Sequence, residues 1–276
     1  MSTFGEATAV SARGAGLYAA ELDPLWAVGV RPQGGYMLAI MGRAALDAAA
    51  NDRHPHVTSV GATFIEPPAP GPAEVTVELL RSGRTLTQAR ARLSQDGRPM
   101  VDAVLTLGLL DDSGPEWSAV EPPTIPPEDE CFLVPTDPPV AGFTIPLMDV
   151  LEERIAPGDL AFMFGAPRRE GVTHSWQRLK DGSDWDPLSL LVALDPVPPA
   201  SYDLGIPGWT PTVQLTAYVH RLPTSGPVRV RLGATDLGGD RMHEVAQVWD
   251  AKDRPVAQAM QLAAVRLPGR SVAATA

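Results

Sequence analysis

The chain of 276 residues carries a net charge of −11, with 44% hydrophobic and 20% charged residues. That is the composition of a globular chain able to bury a core, and its acidic balance argues against a general binder of nucleic acid or anionic membrane. No apolar run approaches the roughly 18 residues of a spanning helix. The opening MSTFGEATAV lacks the basic-then-apolar order of a signal peptide, and the single cysteine, Cys131, excludes an intrachain disulfide. A cytoplasmic protein with no membrane or nucleic-acid partner is expected.

In chain order, ATAVSARGAGLYAAEL reads as strands. PQGGYMLAIMGRAALDAAAND follows as a helix apolar nearly all round, hence buried. PAPGPAEVTVELLRSGRTLTQARARLSQDGRPMVDAVLTLGLL then alternates as antiparallel strands broken by Gly-Pro, Gly-rich and DGRP turns. Residues 111–140 hold eight of the 29 prolines, a density that prevents regular structure and favours an extended connector. Trp117, Phe132 and Leu133 within it are poor residues to leave in water. Beyond it come the strand-like LEERIAPG and GVTHSWQRLKD, the apolar helix candidate DPLSLLVALDP, and a second series of strands ending in RPVAQAMQLAAVRL.

The second series repeats the first. Gly71-Pro72 matches Gly226-Pro227 at an offset of 155, and Arg98-Pro99 matches Arg254-Pro255 at 156. Each half therefore predicts strands, one buried helix and four antiparallel strands, a pattern met by a curved sheet wrapped round its helix. The predicted units are 1–110 and 142–276, joined by a proline-rich acidic linker over 111–141.

GGYMLA at a helix start, FIEPPAPG, LLRSGRTLTQARARLSQDGRPMVDA and the closing VAQAMQLAAV, in this order and duplicated, make the chain resemble the double hotdog proteins of the acyl-CoA thioesterase II type and their thioesterase-like relatives. The resemblance covers about residues 10–110 and 142–267. It implies an α+β fold of two curved antiparallel sheets joined edge to edge, each around one central helix. It also implies hydrolysis of an acyl thioester, with acyl-CoA as substrate, no cofactor, and a possible homodimer of double hotdogs.

The repeat supplies an internal control, because chemistry should sit where one half has a polar residue and the other an apolar one. The strand face Ala257, Ala259, Gln261, Ala263, Val265 holds one glutamine, whose counterpart is Leu105. A buried amide without partners costs roughly 1–3 kcal/mol. Thr212 corresponds to Val57. Asp195 ends the run SLLVALDP, and the first helix has no carboxylate near its approximate counterpart, Ile40. The resemblance implies an Asp, a Thr and a Gln that hold and activate water, and local sequence places them at Asp195, Thr212 and Gln261. Each has a bland alternative: Asp195 as a helix-end or turn residue, Gln261 satisfying a backbone group at a bulge, Thr212 as a β-former. Strict alternation sets Thr212 on the polar face with Gln214, Thr216 and Tyr218.

A thioester is activated enough to need no covalent nucleophile, so a carboxylate acting as general base on water would suffice. Helix-start amides near Gly34-Gly35 or Leu188-Ser189 are candidate oxyanion donors. Gln33 could face a ligand or solvent. Met37, Ile40, Met41, Leu190 and Leu194 are candidate acyl-cavity residues. His220-Arg221, Arg229, Arg231, Arg81, Arg84, Arg90 and Arg92 are candidates for coenzyme phosphates, or are merely solvent-facing. His54 and His56 lack neighbouring Cys or carboxylate ligands, so no metal site is expected. Cys131 has no basic partner and makes a poor nucleophile. Two other functions compete. A non-catalytic acyl-thioester binder or scaffold is open. Hotdog enoyl-CoA hydratases carry D-x-N-P-x-H, and SDWDPLSL has neither the Asn nor the His.

Overall fold

The computed structural model describes residues 2–138 and 141–267; positions 1, 139–140 and 268–276, parts of the predicted linker and second unit among them, lie outside it. The first half runs α1 (Phe4–Ala7), β1 (Val10–Gly14), β2 (Leu17–Leu22), the short pair β3 (Ala27–Val28) and β4 (Arg31–Pro32), and α2 (Gly34–Ala49). It continues with β5 (His56–Phe64), β6 (Gly71–Ser82), β7 (Thr87–Gln95) and β8 (Arg98–Gly108). The second runs β9 (Phe132–Leu133), β10 (Leu151–Ile155), β11 (Val172–Leu179), α3 (Leu190–Ala193), β12 (Thr212–Val219), β13 (Val228–Gly238), β14 (Arg241–Trp249) and β15 (Pro255–Ala264).

Thirteen of these strands form one sheet in the order β1-β2-β6-β7-β8-β5-β12-β15-β14-β13-β11-β10-β9. The predicted turns are built as their residues dictate. Asp96 and Gly97 between β7 and β8 both take positive φ, at 50° and 73°, as a tight hairpin turn requires. The halves join through β5 and β12, antiparallel, where Gly61 faces Thr216. Thr216 is Gly61's own counterpart 155 positions on, so a local two-fold axis passes through this pair and relates the two sets of strands.

Helix α2 is buried from Gly35 to Met41 without a break, which explains its apolar sequence. It packs on β5, β6, β7 and β8 and against α3. Here the prediction needs correction. The second half has no comparable helix: α3 is a single turn of four residues. Pro187 permits a helix only from its own position onward, and Pro196 disfavours helical geometry at Asp195, so the run between them is bounded at about eight residues, within which a single turn forms. Asp195 thus stands beyond α3 in non-helical chain, and its comparison with mid-helix Ile40 does not hold.

The proline-rich segment is extended and docked on the second half. Trp176 Nε1 donates to the Pro126 carbonyl at 2.9 Å, and Arg178 forks onto Glu128. Phe132 and Leu133 become an edge strand paired with β10. Contrary to expectation, Trp117 remains exposed, as do Phe132 and Leu133 in part.

Candidate active site

A cavity of about 390 Å3 opens between the start of α2, the chain after α3 and the near ends of β12 and β15. Asp195, Thr212, Gln261, Gln33 and Gly34 all line it, together with Glu244 and the apolar Met37, Phe64, Phe143, Val197, Trp209 and Leu232. Phe143 and Trp209 meet edge to face with centroids 5.9 Å apart.

Asp195 reaches across the molecular midline. Its Oδ2 accepts the N–H of Gly35, at the first turn of α2, at 3.2 Å. Burial pushes its carboxyl above the usual range, opposed by the N–H groups of Gly35 and Gly34 and by the Thr212 hydroxyl, which favour the charged form. The two glycines make this approach possible. A Cβ on Gly34 would lie 2.7 Å from Asp195 Oδ2, and one on Gly35 would lie 2.0 Å from the Leu191 carbonyl oxygen.

Thr212 enters the same group through a bulge that simple alternation misses. The pairing of β12 with β15 shifts between Thr212 and Gln214, so Thr212 faces Ala263 while Leu215 faces Gln261. One extra residue turns Thr212 onto the face of Gln261 and away from Gln214 and Thr216. The first half carries the same irregularity in β5, between Val57 and Ser59. Val57, the counterpart of Thr212, is accordingly buried in the core.

Gln261 follows Ala257 and Ala259 along the inner face of β15 and ends at the cavity wall. Its Nε2 donates to Glu244 Oε2 at 3.3 Å. Glu244 is a site residue that the sequence reading missed. It lies on β14 opposite Gln261, is 2% exposed, and accepts the Ala200 N–H at 2.9 Å. Burial, with the charge of Asp195 adding, pushes its carboxyl up to about 7. The repeat held the signal: the corresponding facing pair in the first half is Ala89 and Leu105. Extending the comparison from Gln261 to its cross-strand partner would have exposed the glutamate.

Other expected contacts fall elsewhere. Gln33 caps α2, accepting from the Tyr36 N–H at 2.6 Å and donating to the carbonyls of Val192 and Asp195 at 3.1 and 2.8 Å. Its amide is therefore committed to holding the two halves together, not to a ligand. Gly34 and Gly35 serve Asp195, and the N–H groups of Leu188 and Ser189 serve Asp186 at 3.0 and 2.6 Å, so neither pair stands open as an oxyanion hole. Of the proposed acyl-cavity residues, Met37 lines the cavity, whereas Ile40, Met41, Leu190 and Leu194 are packed in the core. None of the seven candidate arginines and His220 reaches the cavity. Arg90 and Arg92 hold Asp102, and Arg229 pairs with Asp253 beside Trp176. Arg31, which the sequence reading passed over, lines the cavity instead and donates to the Pro67 and Pro68 carbonyls at 3.2 and 3.1 Å. His54 uses its ring on Asn51, Thr87 and the Arg84 carbonyl, and His56 accepts from the Leu110 N–H. Cys131 is buried, which raises its thiol.

The class is that of a hotdog protein with a small polar cluster set in an apolar cleft, and comparison with known proteins agrees. Residues 22–108 match the model of the acyl-CoA thioesterase N-terminal domain, and residues 120–265 match that of the C-terminal domain. The chain belongs to the acyl-CoA thioesterase family. A relative from Mycobacterium tuberculosis H37Rv, itself described as uncharacterised, is 31% identical over 270 residues, covering 90% of this chain and 91% of its own. A solved structure of a candidate thioesterase II from Thermobifida fusca YX is 32% identical, with 97% of this chain and 98% of that one covered and a TM-score of 0.86. A hot dog protein of unknown function from Alicyclobacillus acidocaldarius, 23% identical with a TM-score of 0.82 and 96% and 98% coverage, shares the fold.

Proposed function

We propose that the chain is a double hotdog, with units 1–110 and 142–276 joined by the connector 111–141, that hydrolyses acyl-CoA with a water activated by Asp195. The observation that carries this is the convergence of Asp195, Thr212 and Gln261 on one cavity, with Val57 and Leu105 at the first-half positions that correspond to Thr212 and Gln261. Asp195 takes a proton from the water as its oxygen attacks the thioester carbon. The tetrahedral intermediate collapses with loss of the thiolate, which receives that proton, leaving free acid and free thiol. A carboxyl raised by burial is a stronger base than an ordinary aspartate, which suits it to work near neutral pH. Thr212 and the α2 amides fix its orientation, and Gln261 completes the water site. Apolar walls receive the acyl group, and Arg31 is the cation at the cavity suited to a coenzyme phosphate.

The test is free-thiol release from acyl-CoAs of increasing chain length, with the unaltered chain and Asp195→Asn in parallel. Asn keeps the shape but cannot take the proton, so kcat should fall about 10²–10⁴-fold, the span of general-base catalysis. Turnover in Asp195→Asn within a few-fold of the parent removes Asp195 as the base. Binding of acyl-CoA without turnover in the parent would leave a non-hydrolytic acyl-thioester binder.

A further inference from the structure

Glu244 is an expensive residue for its place. It is buried, its two hydrogen-bond partners are the Ala200 N–H and Gln261 Nε2, and neither is charged. A buried carboxylate without a cation is held at a cost to stability. The fold does not require it: the first half fills the equivalent facing pair with Ala89 and Leu105, both fully buried. Both Glu244 and Gln261 line the cavity that holds Asp195.

The chemistry of the pair supplies a reason. The two ends of a side-chain amide are nearly isosteric, so its partner decides which end points where. Above about pH 7 the Glu244 carboxylate is ionised and only accepts hydrogen bonds. It takes the NH2 end of Gln261 and leaves Oε1 as an acceptor, with no partner of its own among the described residues. We propose that Glu244 is a positioning residue for hydrolysis: it pins the Gln261 amide so that Oε1, and not the NH2 group, meets the water held by Asp195. A water donating one hydrogen to Asp195 and one to Gln261 Oε1 keeps its lone pairs for the thioester carbon. A flipped amide would donate into a lone pair and blunt the nucleophile. Glu244 acts through Gln261. This inference rests on the hydrolytic reading above.

The experiment is steady-state thioester hydrolysis by the full chain and by Glu244→Gln, Glu244→Asp, Gln261→Leu and the Glu244→Gln/Gln261→Leu pair, with thermal melts to establish folding. Glutamine at 244 fills the same space but can offer either end of its amide, so it no longer dictates the orientation of Gln261. We expect kcat to fall about 10–100-fold, the scale of a misplaced catalytic group, with KM within about twofold. Glu244→Asp keeps an acceptor-only group and should retain more kcat than Glu244→Gln. The double variant should be no slower than Gln261→Leu alone, because the two residues act as one unit. Parental kcat in Glu244→Gln, the reverse ranking of Asp and Gln, or full multiplication of the two losses in the double variant overturns the proposal. So does a rise in KM at constant kcat. An Asp195→Asn variant that still turns over sinks the hydrolytic reading itself; a dead Asp195→Asn beside an unaffected Glu244→Gln removes only the role of Glu244.

Discussion

Glu153 and Glu244 are each 2% exposed, have uncharged hydrogen-bond partners, and are pushed by burial up to about 7. Glu153 lies on β10, where its Oε1 accepts from Ser175 Oγ and Gln177 Nε2, both at 2.9 Å, and it does not line the site cavity. The two make a matched pair for separating stability from function. Against an ordinary glutamate at 4.5, a carboxyl at about 7 costs about 3 kcal/mol to ionise in the folded chain. Below pH 4.5 each group is protonated whether the chain is folded or not, and there is no penalty. As pH rises from there to about 7 the unfolded chain ionises first, so stability falls by about 1.4 kcal/mol per pH unit for each group. Above about 7 the loss is complete.

Glutamine at either position removes that ionisation and keeps the shape. In thermal melts between pH 5 and pH 8.5, each of Glu153→Gln and Glu244→Gln should melt above the parent by a margin that grows with pH. The margin should reach about 6–12 °C at the alkaline end, taking about 2–4 °C per kcal/mol for a chain of this size. Lost charge-assisted hydrogen bonds will trim this figure. Turnover should divide the pair: Glu153→Gln hydrolyses as the parent does, and Glu244→Gln does not. A margin that stays flat with pH would refute the claim that these carboxyls ionise inside the fold. A margin that shrinks or turns negative as pH rises would show that their charged forms are held by partners and stabilise it.

Gly35→Ala places a methyl 2.0 Å from the Leu191 carbonyl oxygen, where backbone must move. Separation of α2 from α3 should cost at least about 3 kcal/mol, at the upper end for single substitutions, seen as a large drop in Tm or as insoluble chain; a Tm within 2–3 °C of the parent contradicts the packing described. Arg31→Ala removes the cation lining the cavity. It should raise KM for acyl-CoA several-fold and weaken its salt dependence, while leaving KM unchanged for a short thioester without phosphates. An equal rise for both substrates would mean that Arg31 shapes the loop at Pro67 and Pro68 and does not read phosphate.

Much of this was legible in the sequence because duplication makes its own alignment. The paired Gly-Pro and Arg-Pro turns fixed the offset, and the offset drew attention to Gln261 and Thr212 where Leu105 and Val57 stand. What escaped depends on single-residue geometry. The bulge before Gln214 reverses the face of Thr212, and no alternation pattern shows it. Pro187 and Pro196 bound α3 without setting its length, and an apolar run alone reads equally as a longer buried helix. Glu244 escaped because its meaning lies across the strand, opposite Gln261, and not along it. The Gly-Gly start of α2 was read as a source of oxyanion donors for the substrate. Its amides are taken by a carboxylate about 160 residues away, a partner no local pattern can disclose.

That long-range bond also settles what each half contributes. In the first half Val57, Ala89 and Leu105 stand in the places of Thr212, Glu244 and Gln261. Within the second half the Thr212 hydroxyl meets Asp195. That half's own helix is one turn, too short to present an ordered row of N–H groups. The carboxyl is met in addition at the start of the long α2 of the first half, where the positive end of a helix of 16 residues faces it. Gln33 closes the joint from the same helix, binding the Asp195 and Val192 carbonyls. The first half thus supplies the helix start that meets Asp195, and the second supplies Asp195, Thr212, Glu244 and Gln261. Neither half contains both, so under the hydrolytic reading proposed above the two halves act as one unit.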